Sequence, residues 1–243
     1  MLRTTIILII GLVLLTQSGC QTNFNQNNNK KNSQKTEQAL EENMDKLNIE
    51  FLQAAEHNKK EEMAALLEQG ANINAVDNRG RTAAMIAVHT NELDLFQWLI
   101  DKGADINIRD NRSDNPLLYA GAEGLLDFVR AAIAVGADTK LTNRFGGTAL
   151  IPAADRGHVD IVKELLKTSD VNIDHINNLG WTALLEAVLL GNGGTRHQQI
   201  VNLLIEYGAD VNIADSEGVT PLQHAKRLGY SEMVQALEAA GGE

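Results

Sequence analysis

Gly103-Ala104-Asp105-Ile106-Asn107 is the stretch of sequence that decides the fold, because versions of it recur along the chain. It repeats Gly70-Ala71-Asn72-Ile73-Asn74 after 33 residues, and Gly136-Ala137-Asp138 follows after 33 more. Gly208-Ala209-Asp210-Val211-Asn212 returns near the C-terminus, after units of altered length. A fixed period of this kind predicts a solenoid, in which each repeat is one small unit stacked on its neighbours.

Each unit also carries signals for the start and end of a helix. The predicted N-caps, whose side chains accept hydrogen bonds from free backbone N–H groups, are Thr82, Asn115, Thr148, Thr182 and Thr220. Prolines at 116 and 221 follow two of these caps, at the first helical position, where no N–H is needed. The recurring glycines lie just past a second helix, where they adopt a left-handed conformation at little cost. Each unit is therefore predicted to be a pair of helices.

These residues resemble the ankyrin repeat. Thr220-Pro221-Leu222 with Ala225 is similar to the start of an ankyrin unit, and Gly157-His158, Ile161-Val162 and Leu165-Leu166 are similar to its second helix. The resemblance implies an all-α fold with short β-hairpin turns. It implies an ankyrin-repeat solenoid of about six helix-turn-helix units over residues 47–243, starting near 49, 82, 115, 148, 182 and 220. It also implies that the protein binds a protein partner through a concave groove and its hairpin tips.

The first twenty residues resemble a bacterial lipoprotein signal. Arg3 precedes the apolar run Ile6–Leu15, which is shorter than the roughly 20 residues of a membrane span, and Ser18-Gly19-Cys20 closes the segment. We expect residues 1–19 to be removed as a signal peptide and Cys20 to carry lipid, which would place the protein outside the cytoplasmic membrane. The location would be the outer membrane or periplasmic side in a Gram-negative host and the cell surface otherwise. The alternatives are ordinary cleavage near Gly19 or an uncleaved anchor.

The segment between this signal and the repeats is predicted to be a disordered tether, residues 20–46. Nine of the fifteen residues from Gln21 to Lys35 are Asn or Gln, and the segment has little apolar surface to bury. Such a composition does not offset the entropy of ordering the chain. We interpret the tether as a flexible spacer between the lipid and the repeats.

Composition excludes several classes of function. The formal net charge of −11 argues against a protein that binds nucleic acid through its phosphates. The single cysteine allows no internal disulfide and no cysteine-based zinc site. We expect a monomer without cofactor or metal, attached to the membrane only through its lipid.

The sequence contains no common catalytic motif, so we do not expect an enzyme. His57, His89 and His158 lie near the turns between paired helices, where a structural role is expected. His197 and His224 lie in successive units and could approach each other, but two histidines make a poor metal site. The recurring hairpin acids Asp77, Asp110 and Asp215 are interpreted as turn residues that bond the backbone.

The partner-binding residues are predicted from their place in each unit. At the hairpin tips these are Arg79, Arg81, Arg112, Arg144, Phe145, Leu179 and Trp181. At the ends of the first helices they are His89, Asp155, Arg156 and Leu189, and Arg196 lies in a longer loop. Arginine and tryptophan are frequent binding hot spots. The alternative is that the arginines are solvated loop residues and that Trp181 packs on its neighbour.

The fifth unit carries about five extra residues in the loop 191–197. One interpretation is structural, with Thr195 and Gln198 forming a capping box on the following helix. The other is that Arg196 and exposed N–H groups hold an anion or a partner's carboxylate. In the fourth unit, Pro152 lies deeper in its predicted helix than the free N–H groups.

Two other functions remain open at this point. One is an inhibitor of the immunity-protein type, which neutralises a toxic effector or an enzyme. The other, of a different class, is an enzyme or small-ligand-binding protein that uses the loop 191–197. The sequence does not identify the partner.

Overall fold

The computed structural model of the protein describes the backbone of residues 23–243 and the side chains from residue 34 onward, residue 36 excepted. The predicted signal peptide and the lipidated Cys20 lie outside these described residues. Within the described part the chain forms twelve α-helices and no β-strand, with one isolated antiparallel bridge between Val76 and Thr82. The helices are α1 (Asn23–Glu56), α2 (Lys60–Glu68), α3 (Ala83–His89), α4 (Leu93–Asp101), α5 (Pro116–Glu123), α6 (Leu126–Ala134), α7 (Leu150–Asp155), α8 (Val159–Thr168), α9 (Ala183–Leu189), α10 (Thr195–Glu206), α11 (Pro221–Leu228) and α12 (Ser231–Ala239).

The helices form six antiparallel pairs, which confirms the predicted solenoid. The repeats make one compact unit, Met44–Glu243, and the first member of its first pair is the C-terminal part of α1. The alanine of each first helix is almost fully buried, at 0–2% exposure: Ala54, Ala87, Ala120, Ala153, Ala187 and Ala225. These small side chains let neighbouring first helices approach, and leucines of the second helices fill the space behind them. Leu99, Leu165 and Leu204 are completely buried there.

The predicted disorder of residues 20–46 is wrong where the structure describes them, because α1 is helical from Asn23. Residues 37–46, EQALEENMDK, contain mainly Glu, Lys, Gln, Ala and Leu, which are good helix formers. The helix is already nucleated where Leu47 and Phe51 pack into the core. Extending an existing helix costs far less than starting one, so the polar segment continues it.

The predicted N-caps are confirmed in four units. Met85 N–H donates to Thr82 Oγ1 and Leu118 N–H to Asn115 Oδ1, and Thr182 and Thr220 cap α9 and α11 in the same way. The prediction for Thr148 is wrong: α7 begins at Leu150, and the buried Thr148 Oγ1 has no hydrogen-bond partner.

Pro152 is the physical reason for this difference. In a regular helix capped by Thr148, the N–H of residue 152 would donate to the Thr148 carbonyl, and proline has no N–H. Ile151 N–H donates to that carbonyl instead, at 3.2 Å, which tightens the first turn and moves the start of the helix. Pro152 is therefore the third residue of α7, within the first turn, and not deep in the helix as the sequence predicted.

Adjacent units are also tied together at the base of the hairpins. The Asn that ends one Gly-Ala-Asp-Ile-Asn stretch accepts a backbone N–H of the next unit. Asp105 N–H donates to Asn74 Oδ1 at 2.8 Å, and Asp138 N–H donates to Asn107 Oδ1 at 2.9 Å. These bonds give the recurring 33-residue spacing a structural role that the sequence did not predict.

Candidate functional site

The hairpins between units share one turn, in which an Asp or Asn bonds the backbone. Asp77 Oδ1 accepts from Arg79 N–H and from Arg81 N–H, both at 2.8 Å. Asp110 and Asp215 bond their own turns in the same way, which confirms the predicted turn role of all three acids. The turn holds each tip in place, so side chains at successive tips form a row.

Two pairs of neighbouring hairpins are bonded directly to each other. Asn111 N–H donates to Arg79 O at 2.9 Å, and Asn111 Nδ2 donates to Asn78 O at 3.1 Å. Asn178 N–H likewise donates to Phe145 O at 2.9 Å. These bonds join hairpin 77–81 to hairpin 110–114 and hairpin 143–147 to hairpin 177–181.

Glycine makes this close approach possible. Gly80 has φ of 76°, and a Cβ added to it would lie 2.9 Å from Asn111 N, too close for a side chain. A Cβ added to Gly146 would likewise lie 3.0 Å from Asn178 N. The third hairpin has Ser113 at this position, with φ of 65° and a real Cβ. Among the described residues no backbone hydrogen bond joins hairpin 110–114 to hairpin 143–147. These two tips lack the bond that joins the other two pairs, and residues of both tips line a cleft.

This cleft has a volume of about 460 Å³ and lies between the hairpins and the ends of the first helices. We call it the groove cleft. Its lining residues are His89, Asp110, Arg112, Asp114, Tyr119, Ala122, Glu123, Asn143, Arg144, Phe145, Gly147, Ile151, Pro152, Asp155, Arg156, Asn177, Leu179, Glu186 and Leu190. Its size lies in the range typical of binding pockets.

Seven of the twelve predicted partner-binding residues line the groove cleft: His89, Arg112, Arg144, Phe145, Asp155, Arg156 and Leu179. Phe145 and Leu179 are large apolar side chains that remain 55% and 54% exposed, and Leu190 beside them is 51% exposed. Since large apolar side chains are normally buried, these three mark an exposed apolar surface in the groove cleft.

The other five lie elsewhere. Arg79 and Arg196 are exposed outside the cleft, and Leu189 and Trp181 are half-buried outside it. Arg81 is mostly covered, and its guanidinium donates to Asp77 Oδ2 at 2.7 Å and to Glu56 Oε1 at 3.2 Å. Arg81 therefore already serves to join two units.

The arginines at the rim differ in how they are engaged. Arg156 Nη1 donates to Ala122 O at 2.8 Å and to Glu123 Oε1 at 2.6 Å, so it bridges two units. Arg144 stacks over the Phe145 ring, 4.6 Å from the ring centre. Within the described part of the chain, neither Arg112 nor Arg144 has a carboxylate within ion-pair distance. Both remain available to an acidic group of a partner.

Glu186 is a site residue that the sequence reasoning missed. It is only 5% exposed, and its Oε1 accepts a hydrogen bond from Asn177 Nδ2 at 2.7 Å. Burial, and next the charge of Asp155, raise the pKa of Glu186 to about 7, against the opposing effect of the Asn177 hydrogen bond. The signal in the sequence was a carboxylate four residues after Thr182, where the two preceding units have Tyr119 and Pro152, four residues after Asn115 and Thr148.

At the other end of the cleft, burial and neighbouring charges shift the pKa values of Asp114 and His89. Burial, and next Asp110, raise the pKa of Asp114, and the positive charges of Arg112, Arg144 and Arg156 oppose that rise. His89 stacks against Tyr119, with ring centres 3.9 Å apart. Burial, followed by the charge of Arg81, lowers the pKa of His89, so it is mainly neutral at pH 7.

The loop 191–197 is packed against the next unit. Tyr230 Oη donates to Gly191 O at 3.0 Å, and a Cβ on Gly193 would lie 2.4 Å from the Tyr230 ring. The predicted capping box is wrong, because the N-cap of α10 is Gly194 and Gln198 Nε2 donates to Gly193 O. Thr195 is the first residue of the helix, one position too late to cap it.

His197 shows why the loop is tolerated. His197 Nε2 bonds the Asp155 carbonyl at 2.8 Å, just as His158 Nε2 bonds the Ala122 carbonyl at 3.1 Å one unit earlier. Despite the extra residues, His197 therefore makes the usual contact between units. His224 bonds Asp215 Oδ2 at 2.7 Å, so each of these two histidines has a hydrogen-bond partner of its own.

No group of three or more His, Cys, Asp or Glu side chains suited to a metal ion occurs among the residues described. In the same part of the chain, none of the helices has the length and apolar character needed to cross a membrane.

The fold and the cleft define a class of protein, a helical-repeat module with a binding groove, and sequence comparison identifies the family. The family model described as ankyrin repeats (3 copies) matches residues 15–110 and 117–215, most of the chain. The chain belongs to the ankyrin-repeat family, whose repeats are a general protein–protein interaction module and are generally non-enzymatic.

Similar proteins include both solved and curated ones. The structure of an ankyrin repeat domain from Acinetobacter baumannii AYE has a TM-score of 0.76 and 49% identity, over 79% of this chain and 98% of that one. The ankyrin repeat protein YahD of Escherichia coli (strain K12) is 47% identical over 79 residues, 32% of this chain and 39% of that protein. Protein phosphatase 1 regulatory subunit 27 of Mus musculus is 37% identical over 78 residues, 32% of this chain and 47% of that protein. The chain thus spans less than half of either curated relative.

Proposed function

We propose that this protein is a lipid-anchored, non-catalytic binding module outside the cytoplasmic membrane, and that it holds a protein partner in the groove cleft. The observation that carries the binding part is the cleft itself. It combines the exposed apolar side chains Phe145, Leu179 and Leu190 with the free guanidinium of Arg112. Exposed apolar groups beside an arginine are typical of the centre of a protein interface.

The first twenty residues support the export part of the proposal. A short apolar run followed by Ser18-Gly19-Cys20 is the pattern of a lipoprotein signal. Lipid on Cys20 would hold the repeats near a membrane surface while leaving the cleft open to a partner.

The binding proposal is tested by a triple variant, Arg112→Ala, Phe145→Ala and Leu179→Ala. All three side chains are mainly exposed, so each change should alter the free energy of unfolding by less than about 0.5 kcal/mol. Hot-spot truncations cost about 2 kcal/mol or more in binding. We therefore expect the variant to melt close to the parent and to lose the partner in a pull-down by the full chain, read by mass spectrometry.

The matched control changes three exposed residues of the second helices, Lys163→Ala, Gln199→Ala and Glu232→Ala. This control should retain every partner that the parent retains. If the control loses the partner and the cleft variant keeps it, the binding surface is assigned to the wrong face.

A second candidate is a regulator of an enzyme, which the name of one relative favours, since it is a phosphatase regulatory subunit. An immunity-type inhibitor would be one form of such a regulator. The two candidates differ in one measurement: addition of the full chain should change the catalytic rate of the captured partner for a regulator, and leave it unchanged for a scaffold.

A further inference from the structure

Two carboxylates and an amide line one end of the groove cleft, and we call it the acidic end. It consists of Asp155 at the end of α7, Glu186 in α9 and Asn177 in the hairpin between them. Glu186 is buried, with only 5% of its surface exposed, yet it lines an open cleft.

Neither carboxylate of the acidic end has a cation of its own. Among the described residues, no Lys, Arg or His nitrogen lies within 4.0 Å of the carboxylate oxygens of Asp155 or Glu186. Asn177 supplies the hydrogen bond to Glu186, but an amide carries no charge. A buried carboxylate without a counter-ion is costly, so a cation that enters here gains more than one at the surface.

The arginines at the rim do not serve as this counter-ion. Arg112, Arg144 and Arg156 act on Asp114 at the other end of the cleft, whereas no arginine offsets the raised pKa of Glu186. Arg156 is already bound to Glu123 and the Ala122 carbonyl. The cleft is therefore divided into a basic rim and an acidic end.

Apolar side chains line the way to the acidic end. Leu179 and Leu190 line the cleft and are about half exposed, and Ile151 and Pro152 also line it. Lysine and arginine have this combination of an apolar stem and a charged head, and they bury the stem along apolar surface.

We propose, resting on the proposed function, that the acidic end of the groove cleft receives a lysine or arginine side chain of the protein partner. The charged head lies between Asp155 and Glu186, and the stem lies along Leu179 and Leu190. The arginines at the rim then meet acidic or carbonyl groups of the same segment. A partner of this kind explains why the basic rim and the acidic end belong to one site.

The test uses random heptapeptides displayed on phage, selected at pH 8 against the full chain. Selected peptides are then synthesised with a fluorescent label, and their affinity is measured by anisotropy. We expect one position to be enriched in Lys or Arg. Replacing that residue by norleucine or citrulline, which keeps the shape and removes the charge, should weaken binding about tenfold or more.

The protein variants locate the contact. Glu186→Gln keeps the acceptor for Asn177 and should weaken the basic peptide about tenfold or more, with Asp155→Asn acting in the same direction. Asp160→Asn, an equal change of charge on the exposed side of α8, is the matched control and should leave affinity unchanged.

The outcomes separate the two proposals. Peptides that depend on Arg112, Phe145 and Leu179 but are indifferent to Glu186→Gln, or that carry no basic residue, overturn the inference and leave the proposed function standing. If the library yields no peptide that the triple cleft variant loses, both are overturned. Basic peptides weakened by Glu186→Gln and not by Asp160→Asn support both.

Discussion

At the scale of single residues, two units pair a hairpin-turn residue with a side chain nine residues later, but with donor and acceptor swapped. In the last unit Asp215 holds the hairpin turn and its second oxygen pairs with His224, nine residues on, at 2.7 Å. In the fifth unit Asn177 holds the turn and its amide pairs with Glu186, also nine residues on and at 2.7 Å. Both Asp and Asn offer the turn an oxygen, so the partner nine residues later decides which of them fits.

Changing Asn177→Asp should therefore place two carboxylates against each other. We expect the free energy of unfolding at pH 8 to fall by about 1–3 kcal/mol, because a donor becomes a repelling acceptor. The measurement is chemical denaturation. Adding Glu186→His copies the Asp215–His224 pair and should restore most of the loss. Equal, additive losses from the two changes would contradict this pairing.

The raised pKa of Glu186 predicts how stability depends on pH. The unfolded carboxyl titrates near 4.5 and the folded one near 7, so between these values the folded state binds more protons. Stability from this group is complete below pH 4.5 and is lost as pH rises to about 7. At pH 8 the neutral Glu186→Gln variant should be more stable than the parent, by on the order of 2 kcal/mol.

The difference between the two proteins should vanish at pH 4, where Glu186 is protonated in both states. Denaturation curves at pH 4, 6 and 8 give this comparison directly. Asp155, the charged neighbour of Glu186, is unchanged in both proteins. A Glu186→Gln variant that is less stable than the parent at pH 8 would show that the ionised carboxylate stabilises the fold.

At the scale of elements, the sequence predicted what repeats and missed what one unit does differently. Helix starts at Thr82, Asn115, Thr182 and Thr220 followed from a local rule, since a capping side chain needs only its own helix. Thr148 failed because Pro152 cannot donate to the Thr148 carbonyl, and the Ile151 N–H donates to that carbonyl instead of to the Thr148 side chain. A rule for one position cannot foresee a neighbour that removes its hydrogen bond.

The missing bond between hairpins 110–114 and 143–147 is also an element-scale effect, and it coincides with two exceptions to the hairpin pattern. Ser113 stands where Gly80 and Gly146 allow close approach, and Arg144 stands where Asn111 and Asn178 donate to the preceding tip. The double variant Ser113→Gly and Arg144→Asn restores the glycine and the asparagine that the joined hairpins have at these two positions. We expect hairpins 110–114 and 143–147 to join, with stability changed by less than about 1 kcal/mol.

The joined hairpins should be visible as slower hydrogen exchange at the amide of residue 144, because it would then donate to the Arg112 carbonyl. The same variant should weaken binding of the partner, since it narrows the cleft and removes Arg144 from the rim, with no change at the acidic end. The control is Gly218→Ser, at the same position of the last hairpin, where a Cβ meets nothing within 4 Å. An unchanged exchange rate at residue 144 would mean that other packing holds the tips apart.

At the scale of the whole molecule, the 33-residue period was enough to predict the solenoid, because every unit buries an alanine of its first helix and an apolar residue of its second. The cleft was predicted only in part. Phe145, Arg112 and Leu179 could be assigned from their place at the tips, whereas Glu186 could not, because its burial depends on units before and after its own. The helical residues 23–46 were missed because their helix is continued from a packed segment further along.

The proposed attachment to a membrane also belongs to the scale of the whole molecule, and the proposal depends on Cys20. If Cys20 carries lipid, the change Cys20→Ser removes the only thiol in the chain. The variant should then leave the membrane fraction or accumulate as the uncleaved precursor, as measured by fractionation and intact mass. Ser18→Ala, which keeps the cysteine and a small residue before it, is the matched control and should remain bound and processed. A Cys20→Ser protein that is both membrane-bound and fully processed would rule out lipidation, while leaving the binding role of the groove cleft to be judged on its own variants.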